Sequence, residues 1–199
     1  MAHVVTLIPG DGIGPEVAGA ARLVLDATGV EIEWDLQEAG AATLGIEGTT
    51  LPDRVVEHVR RSRVALKGPI TTPVGTGFRS VNVALRHELD LFAAVRPSRS
   101  LPGVPTRHPL VDLVVIRENT EDLYAGIEFE RDAPETAELR EELRRLSGFS
   151  VPEDAGVTVK PISVYGARRI VRFAFGFARA NGRISRVFAP AHGMQFRSA

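Results

Sequence analysis

The chain has no cysteine, which excludes disulfide cross-links and thiolate metal sites and leaves no mark of a redox compartment. Long apolar runs are also missing, since none approaches the ~20 residues that a membrane-spanning helix requires. Residues 1–5 lead straight into an apolar pattern, with no basic stretch and no cleavage site, so no secretory signal is read and a cytoplasmic location is expected. Lysine is scarce: Lys67 and Lys160 are the only two, and arginine makes up the rest of the 24 basic residues. Aromatic residues are few, with one Trp and two Tyr. Acidic residues are absent from 155–199, which carries Lys160, Arg168, Arg169, Arg172, Arg179, Arg183, Arg186 and Arg197. Such a basic stretch suits either nucleic acid or an acidic partner segment. These arginines alternate with apolar residues at helical spacing and form no continuous basic block, so no nucleic-acid partner is expected.

What is present is an alternation of strand and helix patterns. Residues 4–8 form a β-branched apolar run, as buried parallel strands do. A glycine-rich loop follows, and Pro15 stands at the first position of a helix that Gly29 stops. Strands are expected at 31–36, 64–67, 111–116, 124–130 and 157–164. Helices are expected at 52–61, 81–91, 133–146 and 167–180. The 133–146 helix reads as a solvated face with pairs such as Glu141–Arg145. The last helix places Ile170, Phe173, Ala174 and Phe177 on one side. This order argues an α/β fold. The stretch 97–109, with four prolines and one glycine, is the expected crossing between two lobes.

Three segments could carry chemistry. The loop Gly10-Asp11-Gly12-Ile13-Gly14 lacks the third glycine of a dinucleotide fingerprint, because Pro15 occupies that place. It is either a tight turn or a place where backbone approaches something closely. In the second segment Ser80 stands at an N-cap, at a helix start able to receive an anion. Asn82 and Arg86 are one turn apart on a single face, with Arg79 just before them. A hydroxyl, an amide and a guanidinium over one pocket suit a carboxylate ligand. A capped surface helix with an Arg86–Asp90 salt bridge fits the same residues. In the third, Arg96 and Arg117 each close an apolar run and are expected at the C-terminal ends of parallel strands, where open α/β sheets bind ligands. Arg117 leads into a polar loop that carries Tyr124.

The segments GDGIGPE (10–16), KGPITTPVGTGFRSVNVALRHELDLFAAVRP (67–97) and IRENTEDLYAGIE (116–128) resemble the isocitrate/isopropylmalate dehydrogenase family, and Ser80-x-Asn82 resembles its isocitrate branch. The resemblance runs from about residue 4 to 182. It implies a two-lobed, doubly wound α/β fold, incomplete here, with residues 1–99 in the large lobe and 100–199 in the small, dimer-forming lobe. It also implies an oxidoreductase of the tricarboxylic acid cycle. The reaction is NAD- or NADP-dependent oxidation of the isocitrate C2 hydroxyl, followed by loss of the C3 carboxylate, with Mg2+ or Mn2+. Ser80, Asn82, Arg86, Arg96 and Arg117 would bind substrate carboxylates. Tyr124 would act as the general acid, and Thr71, Thr72 and Asn82 would lie near the nicotinamide.

The family chemistry further implies metal-binding aspartates and a lysine from a partner subunit, both downstream of Gly182. Residues 183–199 contain no Asp, Glu or Lys, so impaired activity is expected, with the metal ligands outside this chain. Phe188, Pro190, His192 and Gly193 are similar to a cofactor loop that the family places much later, and no role is assigned to His192. A homodimer or a full-length partner subunit is the expected assembly. The rival readings are a non-catalytic tricarboxylate-binding pseudoenzyme or regulatory subunit, and a sister dehydrogenase acting on isopropylmalate, homoisocitrate or tartrate.

Overall fold

A computed structural model of the chain describes residues 2–71 and 80–184. It divides into two compact units, Met1–Leu91 and Phe92–Ala199. The first carries strands β1 (His3–Ile8), β2 (Ile32–Leu36) and β3 (Ala65–Lys67), and helices α1 (Gly14–Asp26), α2 (Ala41–Glu47), α3 (Asp53–Ser62) and α4 (Val81–Glu88). Its sheet is parallel in the order β2-β1-β3, with Val5 opposite Trp34 and Leu7 opposite Leu66. The chain therefore leaves β1 to one side and returns to the other. This makes a switch point between β1 and β3, where open α/β sheets leave a crevice at the strands' C-terminal ends.

β-Branched and aliphatic residues on β1 bury against the helices. Ile8 and Val55 are fully buried, and with Ala39, Val81 and Leu85 they form the core, flanked by Leu51, Val59, Ile70 and Leu89. α1 begins with Pro15 in its first turn, and α2 and α3 end in left-handed caps at Gly48 and Arg63. Helix α2 was not foreseen, because residues 41–47 are small and nearly uncharged and carry little periodicity.

A polar network ties β1, β2 and α3 together. His58 Nδ1 donates to Asp35 Oδ2 at 2.6 Å, and Arg61 donates to His58 Nε2 at 2.9 Å. Gln37 donates to Asp35 Oδ1 at 2.8 Å while accepting from Arg54 at 3.0 Å. Buried Thr6 shares a 2.8 Å hydrogen bond with Ser62. Burial works to raise the Asp35 pKa but is outweighed by hydrogen bonds from His58 and Gln37, which hold the carboxyl below its usual range.

The second unit has two antiparallel pairs, β4 (Ala93–Arg99) with β5 (Asp112–Glu118) and β6 (Ile127–Phe129) with β7 (Val157–Val159). Helices α5 (Pro134–Ser147) and α6 (Val164–Ala180) belong to it, as does a single 3-10 turn at Asp122–Ala125. The units divide at Leu91, ahead of the proline-rich 97–109. That stretch begins inside β4 and runs on into the β4–β5 connection, where Ser100 Oγ accepts from Val111 N–H at 3.0 Å. On α5 the charges pair one turn apart, as Arg144–Glu141 and Arg145–Glu142. Residues 160–163, foreseen as strand, run irregularly into α6, which Ser163 caps by accepting the Gly166 N–H at 2.8 Å.

The depressed Asp35 pKa has a measurable consequence. The network stabilises the fold fully above the ordinary value of 3.8 and loses that contribution as pH falls below it. Urea unfolding of the wild type and Asp35→Asn should therefore differ clearly at neutral pH and converge in acid. A gap that persists in acid would show that the Asp35 charge is not its source.

Candidate active site

The two glycine-containing loops at the switch point are built around each other. Gly10 adopts φ +81°, and a Cβ there would lie 1.9 Å from the Pro69 carbonyl oxygen. A Cβ on Gly68 would lie 2.0 Å from the Pro9 carbonyl oxygen, and one on Gly14 only 2.5 Å away from the same oxygen. The close approach foreseen at this loop is thus an approach to the chain's own backbone. Asp11 sits at the junction. Its Oδ1 accepts from the Thr71 N–H at 2.5 Å and its Oδ2 from the Ala41 N–H at 3.1 Å. Partial burial pushes the Asp11 pKa upward, but hydrogen bonds from Thr71 and Ala41 and the Lys67 charge outweigh it and hold the carboxyl low.

Beside this junction lies a cavity of about 210 Å³. Ile8, Val59, Ala65, Leu85, Leu89 and Leu91 supply apolar walls, and Lys67, Asn82 and Arg86 supply the polar groups. The cavity thus runs beside β3 with two cationic residues and an amide among apolar ones, a lining suited to a small anion. Burial lowers the Lys67 pKa, the nearby Arg86 charge lowers it further, and Asp11 opposes both. A larger hollow of about 440 Å³ opens where the strands begin, lined by residues including Val5, Val30, Ile32 and Val64. It lies at the wrong end of the sheet for ligands.

The foreseen residues of this unit fall as follows. Ser80 occupies the N-cap of α4, but its side chain makes no capping hydrogen bond. Asn82 and Arg86 both line the cavity. Thr71 is exposed and bound to Asp11, while Thr72 and Arg79 lie outside the described residues, as does His192. Lys67 was not singled out for a role. Its position at the end of β3 is the kind of place that had drawn attention to the arginines.

In the second unit the register corrects one expectation. Arg96 and Arg117 do not end parallel strands: β4 and β5 are antiparallel, with Arg96 opposite Val115 and Arg117 opposite Ala94. Side chains alternate between faces, so the two arginines share one face as diagonal neighbours. Arg96 is exposed and Arg117 half-buried. The Arg117 guanidinium lies 4.9 Å from the centre of the Tyr124 ring and donates to Asn119 at 3.3 Å. Tyr124 is in the 3-10 turn, not in the strand foreseen for it; β6 begins three residues later.

Sequence reasoning passed over the frame behind these side chains. Glu118 accepts from Thr120 N–H at 2.9 Å, from the Thr120 hydroxyl at 2.6 Å and from Glu121 N–H at 2.8 Å. Burial acts to raise the Glu118 pKa, yet these bonds outweigh it and keep the carboxyl below its usual range. Arg169 donates to the Thr120 hydroxyl at 2.7 Å and stacks over Phe92 and Tyr165 at 4.4 and 5.1 Å. Among the described residues no group of three or more His, Asp or Glu could hold a metal ion, and no helix is long and apolar enough to cross a membrane.

The chain belongs to the isocitrate/isopropylmalate dehydrogenase family, whose model matches residues 4–189. It is 45% identical over 189 residues to an isocitrate dehydrogenase [NADP] of Archaeoglobus fulgidus, covering 92% of this chain and 46% of that protein. A namesake from Haloferax volcanii is 45% identical over 192 residues, with the same coverage. A solved isocitrate dehydrogenase from Methylococcus capsulatus matches with a TM-score of 0.74 and 45% identity, over 91% of this chain and 49% of that one. A β-decarboxylating dehydrogenase from Thermococcus kodakarensis gives a TM-score of 0.63 and 33% identity, over 92% and 47% of the two chains. The chain thus spans about half the length of the relatives it matches. Its mixed α/β fold with a parallel sheet is that of an isocitrate/isopropylmalate-type dehydrogenase, incomplete in extent.

The Asp11 junction sets a test of its own. Asp11→Ala removes the acceptor for two backbone donors in separate loops, at a cost of about 1–2 kcal/mol given partial solvent access. A lowered chemical-denaturation midpoint is expected, and a midpoint equal to the wild type's would show that the loops hold without the carboxylate.

Proposed function

We propose that this chain carries the substrate-reading half of an NADP-dependent isocitrate dehydrogenase. The observation behind this reading is the cavity at the β1–β3 switch point, in which Lys67, Asn82 and Arg86 meet apolar walls. Arg96 and Arg117, on one face of the β4–β5 pair, supply further cations for carboxylates. Charge-assisted hydrogen bonds are shorter and stronger than neutral ones, and arginine meets a carboxylate with two parallel bonds. Tricarboxylate recognition therefore falls to Arg86, Arg96 and Arg117, with Ser80 and Asn82 at the start of α4.

A nicotinamide cofactor, when bound, would supply the hydride acceptor for oxidation of the C2 hydroxyl, and the oxo acid so formed would lose its C3 carboxylate as CO2. Tyr124, held by the Arg117 cation, returns a proton to the enolate carbon. Thr71, Thr72 and Asn82 lie toward the nicotinamide in this reading. A divalent metal does not fit the described residues, which offer no cluster of carboxylates and imidazoles to hold it. Nor does this chain supply the lysine that the family chemistry implies beyond Gly182. Turnover in this reading draws on residues other than those described, and cytoplasmic dimers, or association with a full-length partner subunit, are the assembly proposed.

A second reading is a non-catalytic tricarboxylate-binding chain that regulates such a subunit, since the described residues bring no carboxylate and imidazole cluster together. Turnover with NADP, isocitrate and magnesium, with and without an added full-length isocitrate dehydrogenase subunit, separates the two. Stimulation that depends on Tyr124 supports a catalytic contribution, and stimulation indifferent to Tyr124→Phe supports regulation.

Binding can be measured without turnover. Calorimetric titration with isocitrate should show binding that Arg86→Ala and Arg117→Ala each weaken by at least ~10-fold, because a charge-assisted hydrogen bond contributes roughly 1.5–3 kcal/mol. Ser80→Ala should cost less, since the helix N–H groups remain. No wild-type binding at millimolar isocitrate, or arginine variants that bind as the wild type does, would overturn the reading.

A further inference from the structure

Tyr124 sits on a turn that its own sequence does not favour. Asp122, which opens the 3-10 turn, has φ +58°, a left-handed conformation that a non-glycine residue keeps only when its surroundings enforce it. The enforcing contacts are visible. The Asp122 N–H donates to the Pro161 carbonyl at 3.0 Å. The preceding residue, Glu121, lays its carboxylate against the first turn of α6. There Oε2 accepts from the Ser163 N–H at 2.8 Å and Oε1 from the Ser163 hydroxyl at 2.5 Å. The same residue's carbonyl accepts the Tyr124 N–H at 3.1 Å, and its N–H donates to Glu118. Gly166 leaves room for this arrangement: a Cβ there would come within 2.5 Å of the Glu121 carboxylate.

We propose that Glu121 is a positioning residue, which docks on the Ser163–Gly166 turn of α6 and thereby fixes the strained turn that holds Tyr124 against Arg117. Glu121 itself touches no ligand. It acts through two residues that the proposed function assigns to substrate, and in that respect the inference rests on that reading. The helix start that Glu121 occupies is accordingly an internal anchor for the Tyr124 turn and not an anion site for substrate.

The test uses the full chain with 13C-labelled tyrosine rings, the Tyr124 signal being assigned by its loss in Tyr124→Phe. Glu121→Gln replaces one carboxylate oxygen by an amide donor facing the Ser163 donors. Gly166→Ala pushes the carboxylate off from the helix side without changing its chemistry. Alanine ordinarily favours a helix over glycine. That preference opposes the clash with the Glu121 carboxylate, so a purely structural contact predicts at most a lower melting temperature in Gly166→Ala, with Tyr124 unmoved. Positioning predicts that the Tyr124 signal shifts in both variants while a cooperative melt is kept, and that isocitrate affinity falls about tenfold. Ser163→Thr, which keeps both donors, should leave the signal at its wild-type place.

An unmoved Tyr124 signal in both variants would overturn the proposal, as would variant affinities equal to the wild type's. Should Gly166→Ala fail to fold, Glu121→Gln decides alone. If the wild type binds no isocitrate, the tricarboxylate reading falls, and the signals of the ligand-free variants still decide whether Glu121 positions Tyr124.

Discussion

The contact between the loop after β1 and the loop after β3 is the constraint from which the rest of the first unit follows. Carbonyl oxygens of Pro9 and Pro69 lie where side chains on Gly68 and Gly10 would otherwise stand. Asp11 then carries the constraint outward, since its two oxygens hold Thr71 and the start of α2 in the same place. Asn82 and Arg86 line the cavity together with Leu85, which also packs in the core with Val81 and Ile8.

The second unit coheres differently. Many of its apolar residues remain open to solvent, among them Leu113, Val115 and Phe175. Its polar frame is correspondingly dense: Glu118 gathers the loop after β5, and Arg169 reaches from α6 to Thr120 and to the rings of Phe92 and Tyr165. Lysine could not replace Arg169, because a compact ammonium cannot stack on two rings and donate sideways at once.

How much of this the sequence made legible depended on the range of the interaction. Local periodicity located β1, α1, α3 and α5 to within a few residues, and the placing of Asn82 and Arg86 on one face followed from helical geometry alone. Pairing between strands was not legible in the same way. Arg96 and Arg117 both end apolar runs, and nothing local says whether those runs pair in parallel or antiparallel. Tyr124 was misplaced into a strand because the 3-10 turn is imposed by Asp122 and by anchors some forty residues away in sequence, at Pro161 and Ser163. The glycine loop posed the same difficulty. Its spacing left a tight turn and a close approach equally open, and only the fold could say that another loop of the same chain packs against it.

The interlocked loops also bear on redesign. The two loops cannot be reshaped by trimming side chains at Gly10, Gly14 and Gly68, because backbone faces backbone there. The cavity's size is adjustable at its own apolar lining, such as Leu85 and Leu89 on α4 or Val59 on α3. A variant built to accept a bulkier acid would therefore have to change the helix wall and leave the glycines alone.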